Sequence, residues 1–558
     1  MSERGVFGPR SAIPDPIHTR LWLGQLSYFA CKGEIVNRRE FLVTAGAASL
    51  RSTFPLGGWA QGQEPPIEHR LPPTDADYQR SKSYIEEVPV PHYHCASDRV
   101  VEALRDMKFG LRIHWGIYSI YGRPNESWPF LTLPFEARQA YNQAYRSWNP
   151  QEFDADGWMN LCEEAGMKMF AFTSKHHEGF SMFDTKTRVR NRANWTAPGS
   201  PRIEDCDLAY SIMETPFRRD VVRELTDAAR RRNIKIDLYF SHSDWYDADF
   251  RPYGWHPLQV PSSPRLWGWR PADGTTQEFW ESMKKRMSGR LVTVPDPTPS
   301  EVRRMVERHR VQLTELLTRY GTIDMMCLDI FWGPAVWPQM RETILKLREL
   351  QPDVMLRARG IGNYGDYYTP ERFVPATKAA TKMPWFVIYP LGTSFSYESD
   401  ASKYKGTKWI IENLVDVTAK GGNFMVGVGP SGMGSFHPTA VAQLKETGQW
   451  LKVNGEGIYG TRPRPGTEWA EGDNIRFACS KDGRILYCFV TEWPGESLKI
   501  RSLDARPVSS VEMFGYPGKL EFRRDATDNF VISIPGELQD PSNRRSQFAW
   551  GFKLRYAT

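Results

Sequence analysis

Between Lys108 and about Gly455, short apolar runs alternate with stretches of helical periodicity, which leaves few architectures open. The runs are FGLRIHW (109–115), MKMFAFTSKHH (167–177), IKIDLYFS (234–241), IDMMCLDIF (323–331), VMLRARG (354–360) and NFMVGVGP (423–430). Between them DADGWMNLCEEAG (154–166), FRRDVVRELTDAARRRN (217–233) and EVRRMVERHRVQLTELLTRYG (301–321) place apolar residues at helical spacing. Strands alternating with amphipathic helices build a parallel sheet. No GxGxxG turn follows the first run, so an α/β barrel of the (β/α)8-like TIM type fits better than an open doubly wound sheet, although six runs fall short of eight. Asp154 or Asp156 can cap the first helix, and the glycines after the first and third supply stops. Past GIYGTRPRPG (457–466) the pattern becomes short alternating runs separated by Gly, Pro and Asp turns, the signature of an antiparallel β-sandwich. The expected division is an export segment and linker over 1–70, a catalytic barrel over 71–462 and a sandwich over 463–558.

At 558 residues the chain exceeds one ordinary core, in keeping with two folded domains. Its 13% aromatic content, including 20 Trp, points to flat amphipathic contact surfaces. The net charge of +6 is dispersed along the sequence, which argues against nucleic-acid binding. The seven cysteines lack CxxC or Cys-His spacing and read as small buried hydrophobes rather than a zinc or redox set. No run is long enough to span a membrane. NRREFLVTAGAASL (37–50), with Arg38 and Arg39 ahead of Phe-Leu and a small apolar stretch, resembles a twin-arginine export signal and implies a periplasmic or extracellular protein. The Trp- and Pro-rich stretch 242–299 is too long for an ordinary connection and reads as a lid or substrate-facing insertion.

Barrel chemistry sits at the carboxyl ends of the strands. Those ends carry His114 and Trp115, then His176 and His177, then Tyr239 leading to Asp244 and Trp245, then Asp329, then Arg359 with Glu371 twelve residues on. Two adjacent histidines would point to opposite faces of a continuing strand, so they act together only where the strand ends. Asp244 can cap a turn and Trp245 can belong to the core. The glycines of GGNFMVGVGP read as tight-turn residues, since no GK[ST] follows.

KFGLRIHWGIYS, FDADGWMNLCEEAGMKMFAFTSKHHEGFSMFDTKT, QLTELLTRYGTIDMMCLDIFW and KGGNFMVGVGPSGMG followed by WLKVNGEGIYGTRP, in that order, resemble the α-L-fucosidases of glycoside hydrolase family 29. The resemblance implies a retaining exo-glycosidase that forms a glycosyl-aspartate intermediate, acts on fucosylated oligosaccharides or glycoconjugates and needs no cofactor or metal. It assigns the nucleophile to Asp329, the acid/base to Glu371, and sugar contacts to His114, His176, His177, Arg359 and Trp385, with Tyr239 added from its place at a strand end. Glu126 and Trp128 are approximate counterparts of the family's Glu-Trp pair, because Ser127 intervenes.

Retaining hydrolysis requires one ionised carboxylate and a second carboxyl group about 5 to 5.5 Å away that donates and then accepts a proton. Arg359 or imidazole N–H groups can keep Asp329 charged, and burial against apolar surface is expected to raise the pKa of Glu371. Neutral imidazoles suit vicinal hydroxyls; the alternative of metal ligation lacks supporting spacing. Cys327, Ile330 and Phe386 depart from the family pattern, where tryptophan, glycine and glutamate are usual. These departures leave open the same chemistry on another sugar, and a non-hydrolysing carbohydrate binder stays open beside a metal-dependent barrel hydrolase.

Overall fold

The computed structural model describes residue 86 and residues 88–557 except 200, 252, 254, 255, 260–291, 331, 333–335, 377–382, 467 and 468. The twin-arginine stretch lies outside the described residues, as does the middle of the 242–299 insertion. Seven parallel strands form one curled sheet: β1 (Phe109–Ile113), β2 (Met169–Lys175), β3 (Lys235–Ser241), β4 (Met325–Asp329), β5 (Met355–Leu356), β6 (Phe386–Pro390) and β7 (Asn423–Val428). Their spatial order is β6-β7-β1-β2-β3-β4-β5. The gap between β5 and β6 is spanned by 367–371, with parallel bridges Arg357–Tyr367, Tyr368–Trp385 and Glu371–Ile388. The Ala358 N–H donates to Tyr367 O at 2.8 Å, and the Ile388 N–H donates to Pro370 O at 3.0 Å. This irregular eighth element, together with β6, is what sequence periodicity missed. Pro370 has no N–H for a regular ladder, so GDYYTPER reads as a loop.

Helices alternate with the strands: α1 (Asp98–Met107), α2 (Phe135–Gln143), α3 (Ala155–Glu164), α4 (Val221–Arg231), α5 (Pro299–Arg319), α6 (Trp337–Leu350), α7 (Thr407–Ala419) and α8 (Pro438–Asn454). The local signals are legible. Asp154 occupies the N-cap position of α3 without a side-chain capping bond, whereas the Asp220 carboxylate caps α4 by accepting from the Arg223 N–H. Thr298 and Glu301 form a reciprocal capping box at α5, with Pro299 in its first turn. Gly166 and Gly321 end α3 and α5 at positive φ.

Strand alternation fixes the interior. Phe109, Leu111 and Ile113 of β1 join the helix-facing core, while Met169, Met325, Met355, Phe386 and Met425 form a separate inner cluster with Val101 and Leu104 of α1. α1 thus closes the amino-terminal end of the barrel. Two residues further along each strand, the inward positions are Arg112, Asp237, Cys327 and Arg357; two further, they are His114, Tyr239, Asp329 and Arg359. The barrel is therefore apolar at its floor, ionic in the middle and functional at its mouth.

The carboxy-terminal part is antiparallel. One sheet contains β8 (Ile475–Cys479), β9 (Ile485–Val490), β11 (Val508–Met513) and β13 (Trp550–Tyr556); the facing sheet contains β10 (Ser497–Ile500) and β12 (Phe530–Ser533). Phe477, Cys488, Val511 and Leu554 from the first share a core with Leu498, Ile500 and Ile532 from the second. This is the expected sandwich.

Candidate active site

Asp329 is the last residue of β4 and is held from three sides. The Arg359 Nη1 donates to its Oδ1 at 2.9 Å, the Tyr239 hydroxyl donates to its Oδ2 at 2.8 Å, and Arg357 Nη1 lies 3.7 Å from Oδ1. Burial by itself would raise this carboxyl group. Arg359, Arg357 and the Tyr239 hydrogen bond outweigh it and hold Asp329 well below the usual carboxylate range. Burial and the adjacent charge push the Tyr239 phenol up, which keeps it a donor.

Glu371 ends the irregular element that closes the ring, beside Ile388 of β6. Arg359 Nη1 also lies 2.9 Å from its Oε2, and Arg357 Nη2 3.6 Å from the same oxygen. One guanidinium nitrogen therefore touches both carboxylates, so these two oxygens are separated by at most twice 2.9 Å. The expectation of a raised Glu371 pKa is corrected here. Burial does raise it and Asp329 adds to that, but Arg359, Arg357 and Arg372 prevail and lower it. Of the candidate acids at the mouth, the one with a raised carboxyl pKa is Glu126, whose burial is only partly offset by Arg372 and His176.

β2 stops at Lys175, after a register shift between Thr173 and Lys175 in its pairing with β3. The bulge and the strand end let His176 and His177 turn to one side, with ring centroids 4.2 Å apart. The turn that follows is possible because Gly179 has φ +88°, where a Cβ would come within 2.0 Å of Asp244 Oδ1. Asp244 anchors its own turn, accepting from the Tyr246 and Asp247 N–H groups, and pairs with Arg308. His177 Nε2 stands 3.9 Å from Asp329 Oδ2, while its Nδ1 bonds the Ser241 hydroxyl. His176 Nδ1 bonds the Ser127 hydroxyl at 2.5 Å. The His114 ring lies 5.8 Å from those of His176 and Tyr239 and stacks on Phe395 at 4.7 Å. Burial and neighbouring cations push His114 and His177 well below the usual histidine range, so both are neutral at pH 7. Trp128 packs edge-on against His177 and Trp245.

Asp329, Glu371, Arg359, Tyr239, His114, His176, His177, Glu126 and Trp128 thus converge on one mouth. Trp385 does not. It precedes β6 at the amino-terminal end of the barrel, and its indole covers Gly422, where an added Cβ would meet the ring at 2.5 Å. Its removal from the sugar-contacting set follows from parity, since Phe386 faces inward and its neighbour must face outward. Sequence reasoning missed Arg357, which lies under both carboxylates, and Arg112, whose Nη1 shares the Cys327 sulfur with Arg357 Nη1 at 3.1 and 3.2 Å. The signal was present in RARG: Arg357 and Arg359 are two residues apart and share a face.

A family model described as alpha-L-fucosidase matches residues 81–456, and one for the alpha-L-fucosidase C-terminal domain matches residues 471–555. Tissue alpha-L-fucosidase of Homo sapiens is 26% identical over 472 residues, covering 80% of this chain and 88% of that protein. Alpha-L-fucosidase of Dictyostelium discoideum is also 26% identical, over 71% of this chain and 79% of its own length. Among solved structures, alpha-L-fucosidase isoenzyme 1 from Paenibacillus thiaminolyticus superimposes with a TM-score of 0.63 at 25% identity, covering 83% of this chain and 99% of that one. The Thermotoga maritima alpha-fucosidase in complex with fucose has the same fold, with a TM-score of 0.60 at 20% identity over 83% and 97% of the two chains. Barrel, sandwich and both family matches lead to one conclusion: the chain belongs to the alpha-L-fucosidase family of glycoside hydrolases.

Proposed function

We propose that the protein is an exported retaining exo-glycosidase that removes terminal α-L-fucose from oligosaccharides or glycoconjugates, with Asp329 as nucleophile. The observation that carries this reading is the shared Arg359 contact. It limits the two carboxylate oxygens to twice 2.9 Å, below the separation of about 6.5–9.5 Å that inversion needs to admit a water. Asp329 is ionised and aimed into the mouth, as attack on an anomeric carbon requires. The neutral imidazoles of His114 and His177, the His176 ring and the Trp128 indole line the same space, suiting hydroxyls on one side of a pyranose and an apolar face on the other.

In the first step the Asp329 carboxylate attacks C1, the glycosidic bond breaks and the departing oxygen takes a proton. In the second, water attacks C1 of the glycosyl ester, gives up a proton, and releases Asp329. Glu371 is suited to the second step, since it is a carboxylate beside the nucleophile. Esterifying Asp329 removes the neighbouring charge that raises the Glu371 pKa, which favours its ionised form further. A second reading has Glu126 supplying the first proton, because burial holds its carboxyl group up while those of Asp329 and Glu371 are lowered. Export is supported by Arg38 and Arg39 upstream of residue 81, where the family match begins.

Asp329→Ala is expected to lower kcat on aryl α-L-fucosides at least a thousandfold and to regain turnover with azide. Full activity in that variant would refute the reading. Glu371→Gln and Glu126→Gln, compared on good and poor leaving groups, separate the two acids: the proton donor is the one whose loss is severe for poor leaving groups and mild for good ones.

A further inference from the structure

Four large hydrophobic residues among those described are exposed, and three of them lie on adjoining loops at the mouth of the barrel: Ile120 at 37%, Tyr121 at 38% and Met433 at 42%. Ile120 and Tyr121 follow β1, and Met433 follows β7, its neighbour in the sheet. The two loops are in contact, since a Cβ on Gly432 would lie 3.0 Å from Ser119 O and 3.1 Å from Ile120 Cα. Beside this rim is a cleft of about 120 Å³ lined by Tyr118, Tyr121, Arg123, Glu126, Phe130 and Tyr141. Tyr121 and Tyr141 stack with ring centroids 5.1 Å apart and planes 10° from parallel. Two groups lining this cleft are at least nine-tenths buried and lack a hydrogen-bond partner, Glu126 Oε1 and the Tyr141 hydroxyl. Buried polar atoms in that state call for a ligand or water. Glu126 also joins the cleft to the catalytic mouth, because Ser127 beside it holds His176.

We infer that this cleft and its Ile120–Tyr121–Met433 rim form the leaving-group subsite, built for a ring with one apolar face and hydroxyls on its edge. The inference rests on the proposed glycosidase reading. An aryl group and the apolar face of a hexose share this chemistry: either packs on Tyr121 while an edge hydroxyl meets Glu126 or Tyr141. Scattered exposed hydrophobics need no explanation, but three on two adjoining loops, one of them lining a cleft with unpartnered polar atoms beside a catalytic mouth, do.

The test compares two substrates with the same sugar. α-L-Fucosyl fluoride has no ring in its leaving group, whereas 4-methylumbelliferyl α-L-fucoside does. Tyr121→Ala is expected to lower kcat/KM about fivefold more for the aryl substrate than for the fluoride, and Tyr121→Phe, which keeps the ring, is expected to restore the ratio. Equal losses on the two substrates, or no loss, would overturn the inference. A second arm is independent of turnover: phenyl β-D-galactopyranoside, which lacks fucose, should bind the wild type by calorimetry and bind Tyr121→Ala more weakly. If methyl β-D-galactopyranoside also binds, the hexose face is the determinant; if only the phenyl glycoside binds, the aryl ring is. Absence of binding by both would reject the subsite, whereas binding without hydrolysis of either fucoside would reject the glycosidase reading instead.

Discussion

Arg357 and Arg112 are guanidinium groups buried inside a barrel, and such charges persist only with counter-charges at hand. Asp329 and Glu371 supply them above; in their own layer lies Asp237, whose burial raises its pKa to about 6 against the pull of Arg112 and Arg357. A carboxyl group raised above its unfolded value binds more protons folded than unfolded. Its contribution is therefore present at low pH and is lost as pH rises from about 4 to about 6, at a cost of up to about 3 kcal/mol. Asp237→Asn mimics the protonated form, so stability measured by chemical denaturation should lose that part of its decline between pH 4 and 6. At Gly360, φ is +80° and a Cβ would lie 2.3 Å from Ile330 O. Gly360→Ala should cost about 2 kcal/mol or more and lower kcat by displacing Arg359. Cys327 fits the same economy of space: its small side chain leaves room for two guanidiniums beneath the nucleophile.

At the scale of elements, α5 shows local sequence and tertiary role acting together. Its capping box satisfies N–H groups at its start, and Glu301 also pairs with Arg251 of the insertion. Further along, Arg308 pairs with Asp244 and Asp247, and His309 Nε2 meets His242 Nδ1 at 2.9 Å. The helix thus braces the loop that follows β3. Thr298→Ala should destabilise the protein by about 1 kcal/mol, read from the denaturation midpoint, with little change in KM. The described first part of the 242–299 stretch is buried scaffold of this kind, with Asp247, Asp249, Arg251 and His256 all enclosed. Length and Trp- and Pro-rich composition made the whole stretch read as a lid or substrate-facing insertion, whereas the ion pairs that enclose its first residues join distant positions and are invisible in one sequence.

Over the whole molecule, barrel and sandwich share buried contacts. The Trp450 indole of α8 donates to Ala549 O at 2.8 Å and lies 5.8 Å from the Phe489 ring, and Asn454 Nδ2 donates to the Ser546 hydroxyl at 2.6 Å. Arg476 of β8 pairs with Asp416 of α7 at 2.6 Å. An interface with a buried tryptophan whose indole N–H is hydrogen-bonded across it couples the stabilities of both parts. Trp450→Ala should cost about 3–5 kcal/mol, and probes in barrel and sandwich should shift together. If only the sandwich probe moved, the two parts would be energetically separate.

The amino-acid order alone determined most strands and their inward residues, because a strand's period of two puts alternate side chains on one face whatever surrounds them. It likewise exposed the helices α3, α4 and α5, and the strand ends that carry Asp329, Arg359 and the two histidines. What only the tertiary structure decided is how distant segments meet. An irregular element containing Pro370 closes the ring and brings Glu371 to Asp329, through an arginine that serves both. That same arrangement lowers the Glu371 pKa where burial alone would raise it. It also removes Trp385 from the mouth and adds Arg357 beneath it. The physical reason is that electrostatic fields and cavity walls are sums over groups far apart in the chain, whereas periodicity and capping are settled within a few residues.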